Sequence, residues 1–145
     1  MTSRHLICIL ILLPSLAIGS ELKPFTTDGC SSFPDGTIEQ QSLWVNCCIR
    51  HDLAYWKGGT YDERLEADEG LESCVATIGE PKIASIMLAG VRVGGSPFFP
   101  THYRWGYGWP YPRGYKALSP DEKQEVKLKL ESFKLMINSL SDELK

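Results

Sequence analysis

Cys47-Cys48-Ile49-Arg50-His51-Asp52-Leu53-Ala54-Tyr55 gathers two cysteines, an imidazole, a carboxylate and a phenol into one short stretch. Trp44, Cys47, Cys48, His51 and Tyr55 recur at three- and four-residue steps, so the segment from about 40 to 57 reads as a helix that carries them on one broad face. Gly58-Gly59 ends it, glycine being the usual residue just past a helix C-terminus. Adjacent cysteines on a helix point about 100° apart. They cannot easily bridge each other but can reach two different elements. A helix bolted on both sides holds the side chains between the bolts rigidly, as chemistry requires.

A second helix begins at once. Thr60 and Glu63 form a capping box, in which each side chain satisfies a free backbone N–H at the other residue. The helix runs through Leu65, Asp68, Leu71 and Cys74 to about Ile78. So short a connection makes the two helices antiparallel neighbours. If Cys47 bridges Cys74, residues at one level have numbers that add to about 121, and Asp68 comes within half a turn of His51. A carboxylate on one ring nitrogen fixes the tautomer and leaves the other nitrogen to accept a proton. Tyr55, one turn on, can donate to the same carboxylate, and Cys30 would then take Cys48. Asp52 points about 100° away from His51, toward the loop that such a bridge tethers. A carboxylate beside loop carbonyls is an oxygen-rich environment of the kind calcium prefers.

The rest of the chain frames this pair. The first twenty residues carry Arg4, an apolar run from Leu6 to Leu16 and small residues at Ala17-Ile18-Gly19, the pattern of a secretory signal. The alternatives are a buried N-terminal helix or a membrane anchor. Removal of the leader would leave one domain over residues 21–145 with Cys30, Cys47, Cys48 and Cys74, an even set that reads as a disulfide framework with three possible pairings. A zinc site is the other use of four thiols, but CxxC spacing is missing. These features point to a secreted or periplasmic protein with no transmembrane segment in the mature chain. The net charge of −3, without any basic run, argues against a nucleic-acid partner.

Residues 21–36 read as a loop with turns at Asp28-Gly29 and Pro34-Asp35-Gly36. Pro81 suits the first turn of an apolar third helix from about Lys82 to Val91. Residues 94–118 lack periodicity and are crowded with aromatics, Trp105 and Trp109 among them; they form either a membrane-interfacial surface or rings wrapped on a small core. Ser119, Pro120 and Glu122 start a last helix, with Val126, Leu130, Phe133, Ile137 and Leu140 as its apolar stripe. Arg50 and Arg64 read as surface charges or phosphate contacts, and His102 as a loop residue.

The pattern C-C-x-x-H-D-x-x-Y resembles the active-site helix of secreted phospholipases A2. Asp68 followed by Cys74 is similar to that family's second long helix, and Asp28-Gly29-Cys30-Ser31 with Pro34-Asp35 looks like the calcium loop of its shorter bacterial and fungal members. The match covers residues 28–75. The resemblance implies a mostly α fold, a disulfide-linked antiparallel helix pair of phospholipase A2 type with additional helices and irregular loops. It implies calcium-dependent hydrolysis of the sn-2 ester of phospholipids at a membrane interface. His51 would take a proton from water, Asp68 would orient His51, and Tyr55 would brace Asp68. Asp52 would bind Ca2+ together with the loop residues Asp28, Gly29, Ser31 and Phe33. The alternatives are a hydrolase of another ester, or a non-catalytic secreted binding or structural protein that retains the scaffold.

Overall fold

The computed structural model describes residues 21–145. The expected leader at 1–20 lies outside the described residues. Four helices follow one another: α1 Val45–Lys57, α2 Tyr61–Thr77, α3 Pro81–Gly94 and α4 Pro120–Glu143. No strand occurs among the described residues, in keeping with the mostly α expectation. None of the described helices is long and apolar enough to cross a membrane.

Helix α1 is held along two adjacent rows of side chains. Cys47, His51 and Tyr55 form one row at four-residue steps; it faces α2, through the Cys47–Cys74 disulfide and contacts to Asp68. Cys48, Asp52 and Trp56 form the next row, about 100° around the helix. It faces the N-terminal segment: Cys48 bridges Cys30, Asp52 accepts from Thr27, and the Trp56 indole donates to the Lys23 carbonyl. Residue numbers rise along α1 as they fall along each flank, so both flanks run antiparallel to it. Helix α3 is antiparallel to α2 in turn, since Arg64 reaches the Val91 carbonyl while Ser85 reaches Glu72.

The beginning of α1 differs from its expected start near residue 40. Helical structure begins at Val45 because residues 35–44 close on themselves as turns. The Trp44 N–H donates to the Asp35 carbonyl, its indole to the Pro34 carbonyl, and the Leu43 N–H to the Gln40 carbonyl. The capping boxes at Thr60/Glu63 and Ser119/Glu122 are both formed, and Pro81 occupies the first turn of α3, which continues past Val91 to Gly94.

Two apolar clusters result. One lies between α1, α2 and α3 and contains Trp44, Leu71, Val75, Ala84 and Met87 with the cysteines Cys30, Cys47 and Cys48. The other joins Leu22, Phe25, Trp56, Trp109 and Val126, with Leu130 and Phe133 of α4 against it. The stripe on α4 is therefore covered only in its first half; Ile137 and Leu140 stay exposed.

The aromatic segment is core at its tryptophans. Trp105 and Trp109 are buried, which overturns the interfacial alternative for these two rings. The reason is the end of α1. The last four carbonyls of a helix have no partner within it. Ala54 O accepts from Gly58 N, Tyr55 O from Gly106 N, Trp56 O from Gly108 N, and Lys57 O from the Trp109 indole. The Trp105 indole donates to the Gly59 carbonyl just beyond. Gly58 and Gly106 come so close that a side chain on Gly58 would collide with the Gly106 backbone. This packing of backbone on backbone is what the alternation of Gly and Trp serves.

Candidate active site

His51 and Asp52 are each nine-tenths buried and lie side by side on α1, yet they belong to its two different rows. His51 Nε2 sits 3.0 Å from Asp68 Oδ1, and the Tyr55 hydroxyl donates to the same oxygen at 2.7 Å. With Nε2 donating to a carboxylate, Nδ1 is the nitrogen left with a free lone pair. No described residue hydrogen-bonds to it. The Tyr55 ring stacks at a tilt on the imidazole, 4.2 Å between centroids, and Trp105 packs edge-on against Tyr55 at 5.0 Å. Burial, then the neighbouring Asp68 charge, push the Tyr55 hydroxyl far above its ordinary range, so it stays a donor.

Asp68 is fully buried, and its second oxygen is balanced by arginines rather than hydrogen-bonded. Arg92 Nε lies 3.1 Å from Oδ2, and Arg64 Nε 3.8 Å. Neither N–H aligns on that oxygen, but the charges still attract at these distances. The expectation that Arg64 sits at the surface is overturned. Arg64 is buried and joins three elements: it donates to the Tyr55 hydroxyl, to the Tyr115 hydroxyl, and to the Val91 and Arg92 carbonyls at the end of α3. A cation at a helix C-terminus is favoured by the helix dipole as well as by the orphan carbonyls. Its spacing four residues before Asp68 was the available sequence signal. Arg92 had none, because its approach depends on how α3 packs.

Asp52 accepts the Thr27 hydroxyl on Oδ2 at 2.6 Å, and Thr27 Oγ1 in turn accepts the Gly29 N–H at 3.1 Å. Burial pushes the Asp52 carboxyl from an ordinary 3.8 up to about 6; the Thr27 bond and His51 oppose this, while Asp28 and Asp35 add to it. The loop is tied back by the Cys30 N–H on Asp35 Oδ1 and by Ser31 Oγ on Asp28 Oδ1. Thr27, Asp28, Ser31 and Asp52 line a cavity of about 150 Å³, together with Tyr103, Tyr107 and His102. His102 stands 3.8 Å from Asp28. Gly29 and Phe33 lie on the opposite side of the loop, with Ser31 reaching both sides, facing a second cavity.

This second cavity measures about 280 Å³ and leads to His51 and Asp52. Leu71, Ile86, Met87 and Val91 make it apolar, with Gly90, Gly94 and Gly95 along α3. The apolar helix α3 that supplies this wall is core on one face and channel wall on the next.

The calcium expectation can be weighed against these donors. A hard cation takes six to eight oxygen ligands. Among the described residues no three Asp, Glu, His or Cys side chains gather into a metal-holding group. The smaller cavity is lined by two carboxylates, Asp28 and Asp52, and by the hydroxyl-bearing Thr26, Thr27, Ser31, Tyr103 and Tyr107. Carboxylate and hydroxyl oxygens are the ligand type a hard cation takes, and Asp52 is buried among them.

No protein-family model, curated protein or solved structure matches this chain.

Proposed function

We propose that this protein is a calcium-dependent hydrolase of the sn-2 ester of phospholipids, with a helix pair of the phospholipase A2 type. The observation that carries this reading is the pairing of His51 with Asp68 at one end of an apolar channel, with Asp52 beside them on the other row of α1. His51 Nδ1 takes a proton from water as the water oxygen bonds to the ester carbonyl carbon. Asp68 holds the imidazole in the needed tautomer and offsets its charge once protonated. The ester C–O bond then breaks, and His51 returns the proton to the departing alkoxide. Asp52, with Asp28 and loop oxygens, would hold calcium, whose positive charge supports the developing oxyanion when it is bound. The apolar channel takes the acyl chain and keeps bulk water from the imidazole.

A second reading, a non-catalytic protein on the same scaffold, draws on one observation: Thr27 already occupies one oxygen of Asp52. The two are separated by measuring fatty-acid release from phospholipid vesicles with calcium and with chelator. Release that depends on calcium and is lost in His51→Gln supports the enzyme. Vesicle binding without release supports the scaffold.

A further inference from the structure

Helix α3 keeps two glycines, Gly90 and Gly94, one turn apart on the same face. Glycine is the weakest helix former after proline, so its retention calls for a physical reason. Packing within the protein supplies none. A Cβ at Gly90 would meet no neighbour within 4 Å, and one at Gly94 would meet only the Tyr103 ring, at 4.0 Å. Both residues line the 280 Å³ channel, in line with Ile86 one further turn back. The same channel contains His51, nine-tenths buried, whose Nδ1 takes no hydrogen bond from a described residue. The space in front of the glycines therefore continues up to an unpartnered polar atom.

The channel has a direction. Gly95 presses on the Tyr55 ring, so the Gly94 end lies beside His51 and Tyr55. Ile86 marks the other end; it is 58 % exposed, so the groove opens to solvent there. At the helical rise, Gly94 to Gly90 spans about 6 Å and Gly94 to Ile86 about 12 Å. Met87, Val91 and Leu71 line the groove between them.

We propose that Gly90 and Gly94 keep this groove clear along its length, so that the one extended alkyl chain it seats, running from His51 toward Ile86, can be a long one. The identity of the ligand as an acyl chain rests on the hydrolytic reading above. A side chain at Gly94 blocks the groove at the reacting end. One at Gly90 blocks it halfway, so that short chains still fit and long ones do not. The open end at Ile86 imposes no upper limit.

The test uses hexylphosphocholine and dodecylphosphocholine, which carry an alkyl chain but no ester, titrated below their micellar concentrations and followed by NMR. The wild-type chain is expected to bind the dodecyl compound at least about tenfold more tightly than the hexyl one, since several more methylenes leave water. Gly90→Leu should erase that preference while leaving hexyl binding within about twofold; Gly94→Leu should weaken both by about tenfold or more. Gly70→Leu, at an open glycine on α2 that does not line the channel, should change neither. Thermal unfolding of each variant confirms that it is folded. Equal dodecyl binding in Gly90→Leu and wild type, or no chain-length preference in wild type, would overturn the proposal. Binding needs no turnover, so the two readings fail separately. The expected binding pattern without fatty-acid release removes the hydrolase and leaves the groove. Hydrolysis that is indifferent to Gly90→Leu removes the groove alone.

Discussion

His51 and Asp52 are neighbours in sequence with opposite surroundings, and single substitutions can separate their work. His51→Gln keeps a polar side chain of similar size but removes the proton acceptor, so hydrolysis should fall by about 10²–10⁴-fold or more with the fold intact. Circular dichroism beside the vesicle assay checks this; retained activity in a folded variant would remove His51 from the mechanism. Asp52→Asn should weaken calcium binding and activity together, whereas Asp68→Asn should lower activity with less effect on calcium. Calorimetric titration of both variants decides it, and equal loss of calcium would contradict the division of roles. Asp52 also makes a pH prediction. Its carboxyl is raised from 3.8 to about 6 in the fold, chiefly by burial. The folded state then binds the proton more tightly than the unfolded state, so this group's contribution to stability falls as pH rises from about 4 to about 6, by up to roughly 3 kcal/mol. In chelator at neutral pH, Asp52→Asn should melt higher than wild type, and the gap should close toward pH 4. A lower melting temperature for the variant at every pH would mean that the Thr27 bond outweighs desolvation.

At the scale of elements, the decisive feature is that α1 is fastened on two adjacent rows. The Cys47–Cys74 bridge closes 27 residues and aligns α1 with α2, which places Asp68 opposite His51. A loop of that size stabilises by about 3.5 kcal/mol in the chain-entropy account. Replacing both cysteines by serine should lower stability by about that amount and reduce activity further than the loss of folded protein explains, since register along the pair is what aims the imidazole. Denaturant unfolding with activity per folded molecule measures the two parts. Activity that tracks the folded fraction alone would show that packing at Leu71 and Val75 holds the register unaided. The other row is fastened by Cys30–Cys48 and by Trp56 on the Lys23 carbonyl, and it carries Asp52 to the loop.

At the scale of the whole molecule, the aromatic segment covers the end of α1 and carries Trp109 into the second cluster. Trp105 and Trp109 are both buried and hydrogen-bonded to the carbonyls of Gly59 and Lys57. Replacing both with Ala should cost several kcal/mol, at about 3–5 each for a buried tryptophan. Activity on vesicles and on a monomeric short-chain ester should then fall in parallel with the melting temperature. A selective loss on vesicles with unchanged melting would return these rings to the lipid interface. Within the segment, the exposed aromatics are Phe98, Phe99 and Tyr111.

Local chemistry made much of this legible in the sequence. Periodicity and capping boxes mark helix ends because a free N–H needs a partner within a few residues. The double cysteine and the short Gly58-Gly59 connection imply an antiparallel pair, and that geometry brings Asp68 and Tyr55 to His51. The tertiary structure decided what depends on distant partners. Arg64 became a buried clasp because the end of α3 offers it two carbonyls. Arg92 met Asp68 because α3 packs on α2. Residues 40–44 turned away from helix because Asp35 and Pro34 supply acceptors to Trp44. Trp109 became core where its indole meets the last carbonyl of α1, at Lys57, and Trp105 where its indole meets the Gly59 carbonyl just beyond. In each case a buried polar group takes whichever partner the packing brings within reach, and sequence spacing alone does not contain that distance.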